Sequence, residues 1–404
     1  MSGAIRRTLP AMMAVQAMVA MGTFALSVLA PQLGVDVQSL GILGSVMFGV
    51  GALSSVTAGW LIRRVGDLQL ASLCMAAVML AMLCLAVEAL GVGPARWSFW
   101  PAVFLLGFAF GPETPASASV LSRVTPLARR PWIFSVRQTG NQIGAITGSL
   151  LLPLLLVQHA AWPFALVAVL ALAVGAWCLG LVRSDGGARH APHAPDLSDV
   201  HAERASSPAR GASGLSELAA SPMLRLLTLT MLVYMSTQVC LNFFVMSHAV
   251  RHWQLPVPVA AGWVALMQAA GLVGRLLWGR VAQRPGVSTA RLLGGLGLLM
   301  GAAGLLLFLW PATPPPFALA LLFALIGVSA SGWNGVMVAE ISRIAGPERA
   351  GAVTGAALLF GYSGIAIAPL AFAAMDGAAG TSTAFVVLLA TTAVMGLSLL
   401  LRRR

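Results

Sequence analysis

Long apolar runs without a charged residue fill most of this 404-residue chain and decide what it can fold into. A helix needs about 20 consecutive apolar residues to cross the hydrocarbon core of a bilayer. Charged residues make up 9% of the chain, whereas soluble globular proteins carry about 25%, so a water-exposed surface cannot be covered. The sequence therefore predicts an integral membrane protein. It excludes an extracellular disulfide scaffold, a disordered chain and a nucleic-acid binder.

The apolar runs predict twelve membrane-spanning helices in two sets of six. The first run is longer than the 7–15 residues typical of the apolar region of a signal peptide, so we interpret it as a retained span. The predicted spans are 9–30, 39–62, 69–91, 98–121, 132–157, 162–182, 222–249, 258–279, 291–310, 316–341, 351–375 and 382–401.

Three regions follow from this spacing: an N-terminal six-helix bundle at 1–182, a linker at 183–221 and a C-terminal six-helix bundle at 222–404. The linker is polar and rich in Ala, Pro and Ser, and it shows no apolar stripe of helical period. This composition predicts a flexible cytoplasmic segment. Its histidines are irregularly spaced, which favours a solvated linker over a metal site.

The basic residues are distributed very unevenly along the chain. All 24 are arginines, and the net charge is +12. With the N-terminus inside, 20 arginines lie in cytoplasmic segments, two (Arg96 and Arg251) lie on the opposite side, and two (Arg137 and Arg275) lie within spans. Positive residues collect on the cytoplasmic side of membrane proteins. The distribution therefore supports twelve spans with both termini in the cytoplasm.

The two sets of spans contain an internal repeat. The pattern G-x-φ-x-x-R-x-G, where φ is apolar, occurs at 59–66 and again at 279–286, an offset of 220 residues. The same offset relates Arg123 to Arg343 and Gly144 to Gly364. A single offset at three sites indicates two homologous halves.

Two six-helix halves, with this pattern after spans 2 and 8, resemble the major facilitator superfamily over the whole chain. The resemblance implies an all-α membrane fold of two pseudo-symmetric six-helix bundles and transport by alternating access. The family's loop between spans 2 and 3 is a cytoplasmic latch; here an arginine replaces its usual Asp and an aspartate replaces a usual basic residue, which leaves open a salt link with reversed partners. The implied latch residues are Gly59, Arg63, Arg64, Gly66 and Asp67 in the first half and Arg275, Gly279, Arg284, Glu340 and Arg343 in the second.

Further motifs resemble one bacterial branch of that family. The segments 111–119, 134–140, 332–335 and 339–343 are similar to those of carriers grouped with cyanate permeases and nitrate-type transporters. This similarity implies a small anion as substrate and the bacterial inner membrane as location.

Arg137 and Glu113 are the charged residues placed deepest in predicted spans, where an ionised side chain costs about 2.5–3.5 kcal/mol on insertion scales. Arg137 is interpreted as an anion contact, with Gln138 and Asn141 beside it, or as a structural arginine that bonds a neighbouring helix. Glu113 is interpreted as a proton-coupling carboxyl, as an ion-pair partner of Arg137 or as a substrate contact. The prolines at 112 and 115 are expected to interrupt the local hydrogen-bond ladder and to free backbone carbonyls, which then need protected or hydrated surroundings.

Other polar side chains fall near the middle of predicted spans. Each can contact substrate or join two helices. The candidate substrate contacts among them are Gln238, Asn242, Gln268, Trp333, Asn334 and Tyr362, and Gln16, Tyr234 and Ser363 lie at similar depth.

The leading hypothesis is a secondary transporter of a small organic or inorganic anion, with Arg137 holding the negative group and Glu113 carrying a proton or balancing Arg137. The alternatives are a proton-driven exporter of amphipathic or cationic compounds and a transporter-like sensor. The chain has no lysine, and therefore no P-loop for ATP-driven transport, and no hydrolase motif. We expect no enzyme activity, cofactor, metal or nucleic-acid partner, and a monomer in the lipid bilayer.

Overall fold

The computed structural model describes residues 3–92, 96–126, 129–184, 208–346 and 349–402, and over these ranges the fold is entirely α-helical. The chain divides into two compact units. The first comprises Met1–His193 with Pro256–Ala265, and the second comprises Ala194–Leu255 with Leu266–Arg404.

Six helices lie in the described residues of the first half of the chain. They are α1 (Gly3–Leu29), α2 (Val37–Val65), α3 (Asp67–Ala89), α4 (Phe99–Val124), α5 (Arg130–Gln158) and α6 (Trp162–Ser184).

The second half contributes eight helices to the described part of the chain. They are α7 (Pro208–Ala220), α8 (Pro222–Arg251), α9 (Val257–Ala282), α10 (Thr289–Phe308), α11 (Pro316–Ala330), α12 (Asn334–Ala345), α13 (Ala350–Ala379) and α14 (Thr381–Leu401).

Each predicted span coincides with one helix, except the span at 316–341, which covers α11 and α12, and the predicted fold class is confirmed. Eleven helical segments of the described ranges are long and apolar enough to cross a membrane, counting Pro316–Ala345 as one. The predicted fourth span, α4, is not among them, because its glutamate and its prolines reduce its hydropathy. Large apolar side chains such as Val56 (82% exposed), Phe317 (75%) and Leu401 (70%) lie on the outside, as the hydrocarbon of a bilayer requires.

Close helix packing repeats at the predicted 220-residue offset. A Cβ atom added at Gly144 of α5 would lie 2.1 Å from the carbonyl oxygen of Ala17 on α1. At Gly364 of α13 it would lie 2.9 Å from the carbonyl oxygen of Leu232 on α8. Glycine allows these backbones to approach closely, so the two halves use the same device at equivalent positions.

α4 continues as one helix through both Pro112 and Pro115. A proline inside a helix removes one backbone hydrogen bond and crowds the preceding turn. Neighbouring α2 holds α4 in place instead: Ser54 Oγ donates to the carbonyl oxygen of Gly107 at 3.3 Å, and a Cβ at Gly111 would lie 2.2 Å from the carbonyl oxygen of Gly51.

The span predicted at 316–341 corresponds to one apolar segment, Pro316–Ala345, but it consists of two helices, α11 and α12, separated by a turn at residues 331–333. Trp278 Nε1 of α9 donates to the carbonyl oxygen of Val328 at 2.9 Å. That carbonyl would accept from the N–H of Gly332 in a continuous helix. A side-chain partner for the last turn and a glycine of low helix propensity together end α11 here.

The linker prediction needs a correction at its C-terminal end, because residues 208–220 form α7 instead of an irregular chain. Leu218 of α7 is 5% exposed, and a Cβ at Gly214 would lie 2.5 Å from the carbonyl oxygen of Ala352 on α13. Glu217 pairs with Arg349. Packing on α13 stabilises this short helix, which explains why its own sequence gave little signal. Residues 185–207 of the predicted linker lie outside the described residues.

Candidate substrate site

A buried ion pair connects α4 and α5 in the first unit. Arg137 Nη1 lies 3.6 Å from Glu113 Oε1, and the two side chains are 1% and 4% exposed. Both charges are thus removed from solvent, which is tolerated only when each is compensated. Of the alternatives left open by the sequence, an ion pair between the two residues is the one that this geometry shows.

Thr114 bridges the two charged groups. Its hydroxyl donates to Glu113 Oε2 at 2.8 Å, while Arg137 donates from Nη2 to that hydroxyl and from Nη1 to the Thr114 carbonyl oxygen, both at 3.3 Å. Ser117 Oγ donates to Glu113 Oε1 at 3.0 Å. The carboxylate therefore has a donor on each oxygen. Arg137 Nε has no hydrogen-bond partner among the described residues.

Gln16 of α1 contacts the same guanidinium. In the amide orientation that satisfies both polar atoms, Nε2 donates to the Arg137 carbonyl oxygen at 2.7 Å and Oε1 accepts from Nη2 at 3.2 Å. In the opposite orientation Nε2 donates to Gln138 Oε1 at 3.2 Å. Asn141, one turn after Arg137, instead donates to Gln142 Oε1 at 2.8 Å.

Two side chains beside the pair reach the protein surface. Thr114 and Gln138 are exposed, although Arg137 and Glu113 are buried. The guanidinium thus lies one side chain away from the accessible surface.

In the second unit, uncharged amides form two hydrogen-bonded pairs. Gln268 Nε2 of α9 donates to Asn242 Oδ1 of α8 at 2.9 Å. Asn334 Nδ2 at the start of α12 donates to Gln238 Oε1 of α8 at 3.2 Å. Gln238 and Asn242 are one turn apart, so the structure brings four of the predicted contacts together along one face of α8.

The two aromatic residues among the predicted contacts, Trp333 and Tyr362, differ in burial. Trp333 is fully buried in the turn between α11 and α12, and its ring packs edge-on against Tyr234 at 5.5 Å. Tyr234 donates to the carbonyl oxygen of Leu293 at 3.0 Å. Trp333 Nε1 has no hydrogen-bond partner among the described residues. Tyr362 of α13 is 39% exposed and lies outside this core contact.

In the first half of the predicted latch, Asp67 is the buried residue, with 4% exposure at the start of α3. Its partners are Arg123 Nη2 at 2.6 Å and Ser119 Oγ at 3.0 Å, both on α4. The reversed link to Arg63 is therefore not the one that forms. Gly66 has φ +94°, the left-handed region that favours glycine, and it alone separates α2 from α3.

The neighbouring latch residues of the first half have local contacts. Arg63 and Arg64 are exposed. The Arg64 guanidinium lies 5.1 Å from the centre of the Trp60 ring, a cation–π contact. Gly59 lies on the same turns of α2, and Arg63 Nη1 is the nearest atom that an added Cβ would meet, at 3.7 Å.

The second half of the predicted latch forms a different pair. Arg343 donates from Nε and Nη2 to the two carboxylate oxygens of Glu340, each at 2.8 Å. Arg275 is half-buried and its Nε has no hydrogen-bond partner among the described residues. Arg284 is exposed, and an added Cβ at Gly279 would meet no atom within 4 Å.

His248 is a buried polar residue that does not belong to the predicted site residues. His248, in the last turn of α8, is 2% exposed and is surrounded by aromatic rings. The signal that could have revealed it is the spacing His248-x-x-x-His252 at the end of a predicted span.

Together, the helices and the buried charges define a multi-pass α-helical membrane protein. The family model of the Major Facilitator Superfamily matches residues 9–369, and the chain belongs to this family. A curated relative is an uncharacterised MFS-type transporter of Mycobacterium tuberculosis (strain CDC 1551 / Oshkosh). It is 26% identical over 328 residues, which cover 80% of this chain and 67% of the relative.

Solved structures share the fold at low sequence identity. A mutant of the peptide transporter POT has 16% identity and a TM-score of 0.74, covering 97% of this chain and 93% of that chain. A mutant of the nucleoside transporter NupG has 13% identity and a TM-score of 0.73, covering 97% of this chain and 98% of that chain. A bacterial homologue of the human lysosomal transporter Spinster, in an inward-facing conformation, has 16% identity and a TM-score of 0.69, covering 99% of this chain and 95% of that chain. The chain is a secondary transporter of a small molecule, and the family implies a transporter and not an enzyme.

Proposed function

We propose that this transporter moves a small organic or inorganic anion across the bacterial inner membrane by alternating access, with Arg137 as the anion-binding residue and Glu113 as the proton carrier. The observation that carries the proposal is the buried pair of Arg137 and Glu113, whose Nη1 and Oε1 atoms lie 3.6 Å apart beside the exposed Thr114. The chain acts as a monomer. Both of its termini lie in the cytoplasm, as the arginine distribution predicts.

The distance between Glu113 and Arg137 suggests how proton uptake by the carboxyl and anion binding by the guanidinium are coupled. At 3.6 Å the carboxylate and the guanidinium attract each other without a direct hydrogen bond, and the hydrogen bonds of Arg137 go to uncharged oxygens. Protonation of Glu113 would leave a buried positive charge uncompensated, which is strongly unfavourable. A small anion that binds the planar guanidinium restores neutrality, so anion binding and proton uptake favour each other.

The motifs at 111–119 and 134–140 support a small anion, since they resemble the cyanate and nitrate-type branch. The fold itself does not choose the substrate, because the similar solved structures include peptide and nucleoside transporters. Gln138, Asn141, Gln238, Asn242, Gln268, Trp333, Asn334 and Tyr362 remain proposed substrate contacts. Export of cationic compounds is less favoured, because the Glu113 charge is already balanced by Arg137.

The test is a thermal-shift screen of the purified protein in detergent. The panel contains cyanate, nitrate, mono- and dicarboxylates, aromatic acids and lipophilic cations, at pH 5.5 and 7.5. A ligand at 100 times its Kd stabilises the folded protein by about 2.7 kcal/mol. We expect an anion to raise the melting temperature more at pH 5.5, and Arg137→Gln to abolish the shift.

Arg291→Gln is the matched control, since Arg291 is exposed at the start of α10 and should leave the anion response unchanged. Counterflow of the bound anion in proteoliposomes then tests transport directly. An anion response that survives in Arg137→Gln would contradict the site. A response to cations alone, lost in Glu113→Gln, would replace the anion by the cationic class.

A further inference from the structure

The guanidinium of Arg137 has two edges that can each bind a pair of oxygens, and the protein uses the two edges differently. Nη1 and Nη2 form the first edge, and they donate to the carbonyl and hydroxyl oxygens of Thr114, both at 3.3 Å. Nε and Nη2 form the second edge. Nε has no hydrogen-bond partner among the described residues, although the side chain is only 1% exposed. Buried donors are nearly always paired, so the second edge requires an explanation.

Gln16 of α1 occupies half of this second edge. In the amide orientation that satisfies both of its polar atoms, Oε1 accepts from Arg137 Nη2 at 3.2 Å and Nε2 donates to the Arg137 carbonyl oxygen at 2.7 Å. The amide oxygen is uncharged, so it is a weaker partner for Nη2 than an ionised oxygen would be. The second edge therefore has one neutral acceptor and one donor without a partner.

The amide group of Gln16 has the shape of a planar oxoanion. It carries an oxygen and a nitrogen on one planar carbon, as a carboxylate carries two oxygens. A planar oxoanion that takes the place of this amide can direct two oxygens at Nε and Nη2 of Arg137, the bidentate geometry that a guanidinium favours. Linear cyanate and spherical chloride present a single atom to this edge and leave one of the two donors without a partner.

Gln138 offers Gln16 a second hydrogen-bond partner. In the opposite amide orientation Gln16 Nε2 donates to Gln138 Oε1 at 3.2 Å, and Arg137 Nη2 loses its acceptor. Gln138 is exposed, whereas Arg137 is buried. The Gln16 amide thus lies between the guanidinium and a side chain at the accessible surface. A movement of this amide towards Gln138 frees Nη2 and keeps one hydrogen bond, which limits the cost of displacement.

We propose that the transported anion carries a planar oxoanion group, a carboxylate or nitrate, which binds the Nε–Nη2 edge of Arg137 and displaces Gln16. The inference rests on the proposed function, because it assigns a binding mode to the anion at the same arginine. Gln16 is then a specificity-determining residue, since its amide oxygen holds Nη2 while the site is empty. A planar anion that replaces it also pairs with Nε and gains a hydrogen bond that a linear anion lacks.

The test is a calorimetric titration of the full chain in detergent, at pH 5.5 and 7.5, with anions of one charge and different shapes. Formate, acetate and nitrate are planar, cyanate and thiocyanate are linear, and chloride is spherical. We expect the best planar anion to bind about 10-fold or more tighter than the linear anions and chloride, because a hydrogen bond to a charged group contributes roughly that much. The comparison of formate and acetate with nitrate distinguishes the two kinds of oxoanion.

Four variants examine the edge itself. Arg137→Lys keeps the positive charge beside Glu113 but has no planar fork, so it should bind linear and planar anions equally. Gln16→Met removes the amide from Nη2, and planar anions should bind it at least as tightly as they bind the parent. Gln16→Glu places a permanent carboxylate on that edge and should weaken binding about 100-fold or more, because juxtaposed like charges repel strongly. Gln158→Glu, the same substitution at the exposed end of α5, is the matched control and should bind as the parent does.

The outcomes separate this inference from the proposed function. If no anion binds the parent, the proposed function fails and the inference fails with it. If anions bind and need Arg137, but linear anions bind as tightly as planar ones or Arg137→Lys keeps the preference, the proposed function stands and the inference is overturned. Loss of binding in a Gln16→Met protein that melts like the parent would also overturn it, because Gln16 would then hold the anion instead of being displaced.

Discussion

Arg123 Nη2 lies 2.6 Å from Asp67 Oδ1, and this contact connects the end of α4 to the start of α3. The equivalent arginine 220 positions later, Arg343, binds Glu340 within its own helix. Both arginines thus compensate a buried carboxylate, but only the first connects two helices. The second half has Val287 where the first half has Asp67, so its arginine finds a partner elsewhere.

Asp67→Asn should lower the free energy of unfolding by about 1–3 kcal/mol. The buried site would lose its charge-assisted hydrogen bonds, and the new amide N–H groups would face Arg123 and Ser119, which are themselves donors. The measurement is thermal unfolding of the purified protein in detergent. Arg63→Gln is the control and should melt like the parent, since Arg63 is exposed and does not form this pair. Equal destabilisation by both substitutions would show that the reversed pair carries the stability.

The Arg137–Glu113 pair makes a prediction that a double-mutant cycle can check. Arg137→Gln and Glu113→Gln each leave one buried charge unpaired, which costs about 3–5 kcal/mol. The double variant leaves none, so its loss of stability should be smaller than the two single losses added together. A coupling energy of about 0.5–3 kcal/mol is expected for residues in contact. Additive losses would mean that the two charges do not compensate each other.

The spans were predictable because bilayer thickness fixes the length of an apolar run, and the repeat was predictable because both halves keep Arg123/Arg343 and Gly144/Gly364 at one offset. The turn at residues 331–333 could not be predicted from the sequence. It depends on Trp278, which is 50 positions away from the carbonyl that it binds. Sequence periodicity reports nothing about such a contact.

The candidate site shows the same limit. The sequence placed Arg137 and Glu113 in adjacent spans but left their pairing open, because it does not give the rotation of one helix against another. His248 was missed for a related reason. Its spacing to His252 is visible in the sequence, but its burial comes from Phe308 and Phe385, which belong to distant helices.

Gly144→Ala should destabilise the protein, because the added Cβ would lie 2.1 Å from the carbonyl oxygen of Ala17 and would force α1 and α5 apart. Overpacking of this kind costs about 1–3 kcal/mol. Gly49→Ala is the matched control within a helix, since an added Cβ there meets no atom within 4 Å. It should be neutral or stabilise by up to about 1 kcal/mol. Thermal unfolding measures both, and equal melting temperatures would contradict the close approach of α1 and α5.

Asp36 should make stability depend on pH at the loop before α2. Burial raises the pKa of this carboxyl, but hydrogen bonds from the Ser39 N–H and hydroxyl, together with the Arg96 charge, outweigh it and hold the pKa below its ordinary value. A depressed pKa means that the contribution to stability is complete above the ordinary pKa and is lost as the pH falls through the folded-state value.

Asp36→Asn isolates this effect, since asparagine is also a good N-cap but cannot pair with Arg96, whose Nη1 lies 3.7 Å from Asp36 Oδ2. The Asp36 side chain is 48% exposed, so the difference from the parent should stay below about 1 kcal/mol. The measurement is thermal unfolding between pH 7 and pH 3. The parent should be more stable than Asp36→Asn at neutral pH, and this gap in stability between the two proteins should narrow towards pH 3. A gap that stays constant down to pH 3 would mean that the ionised carboxyl contributes nothing to this cap.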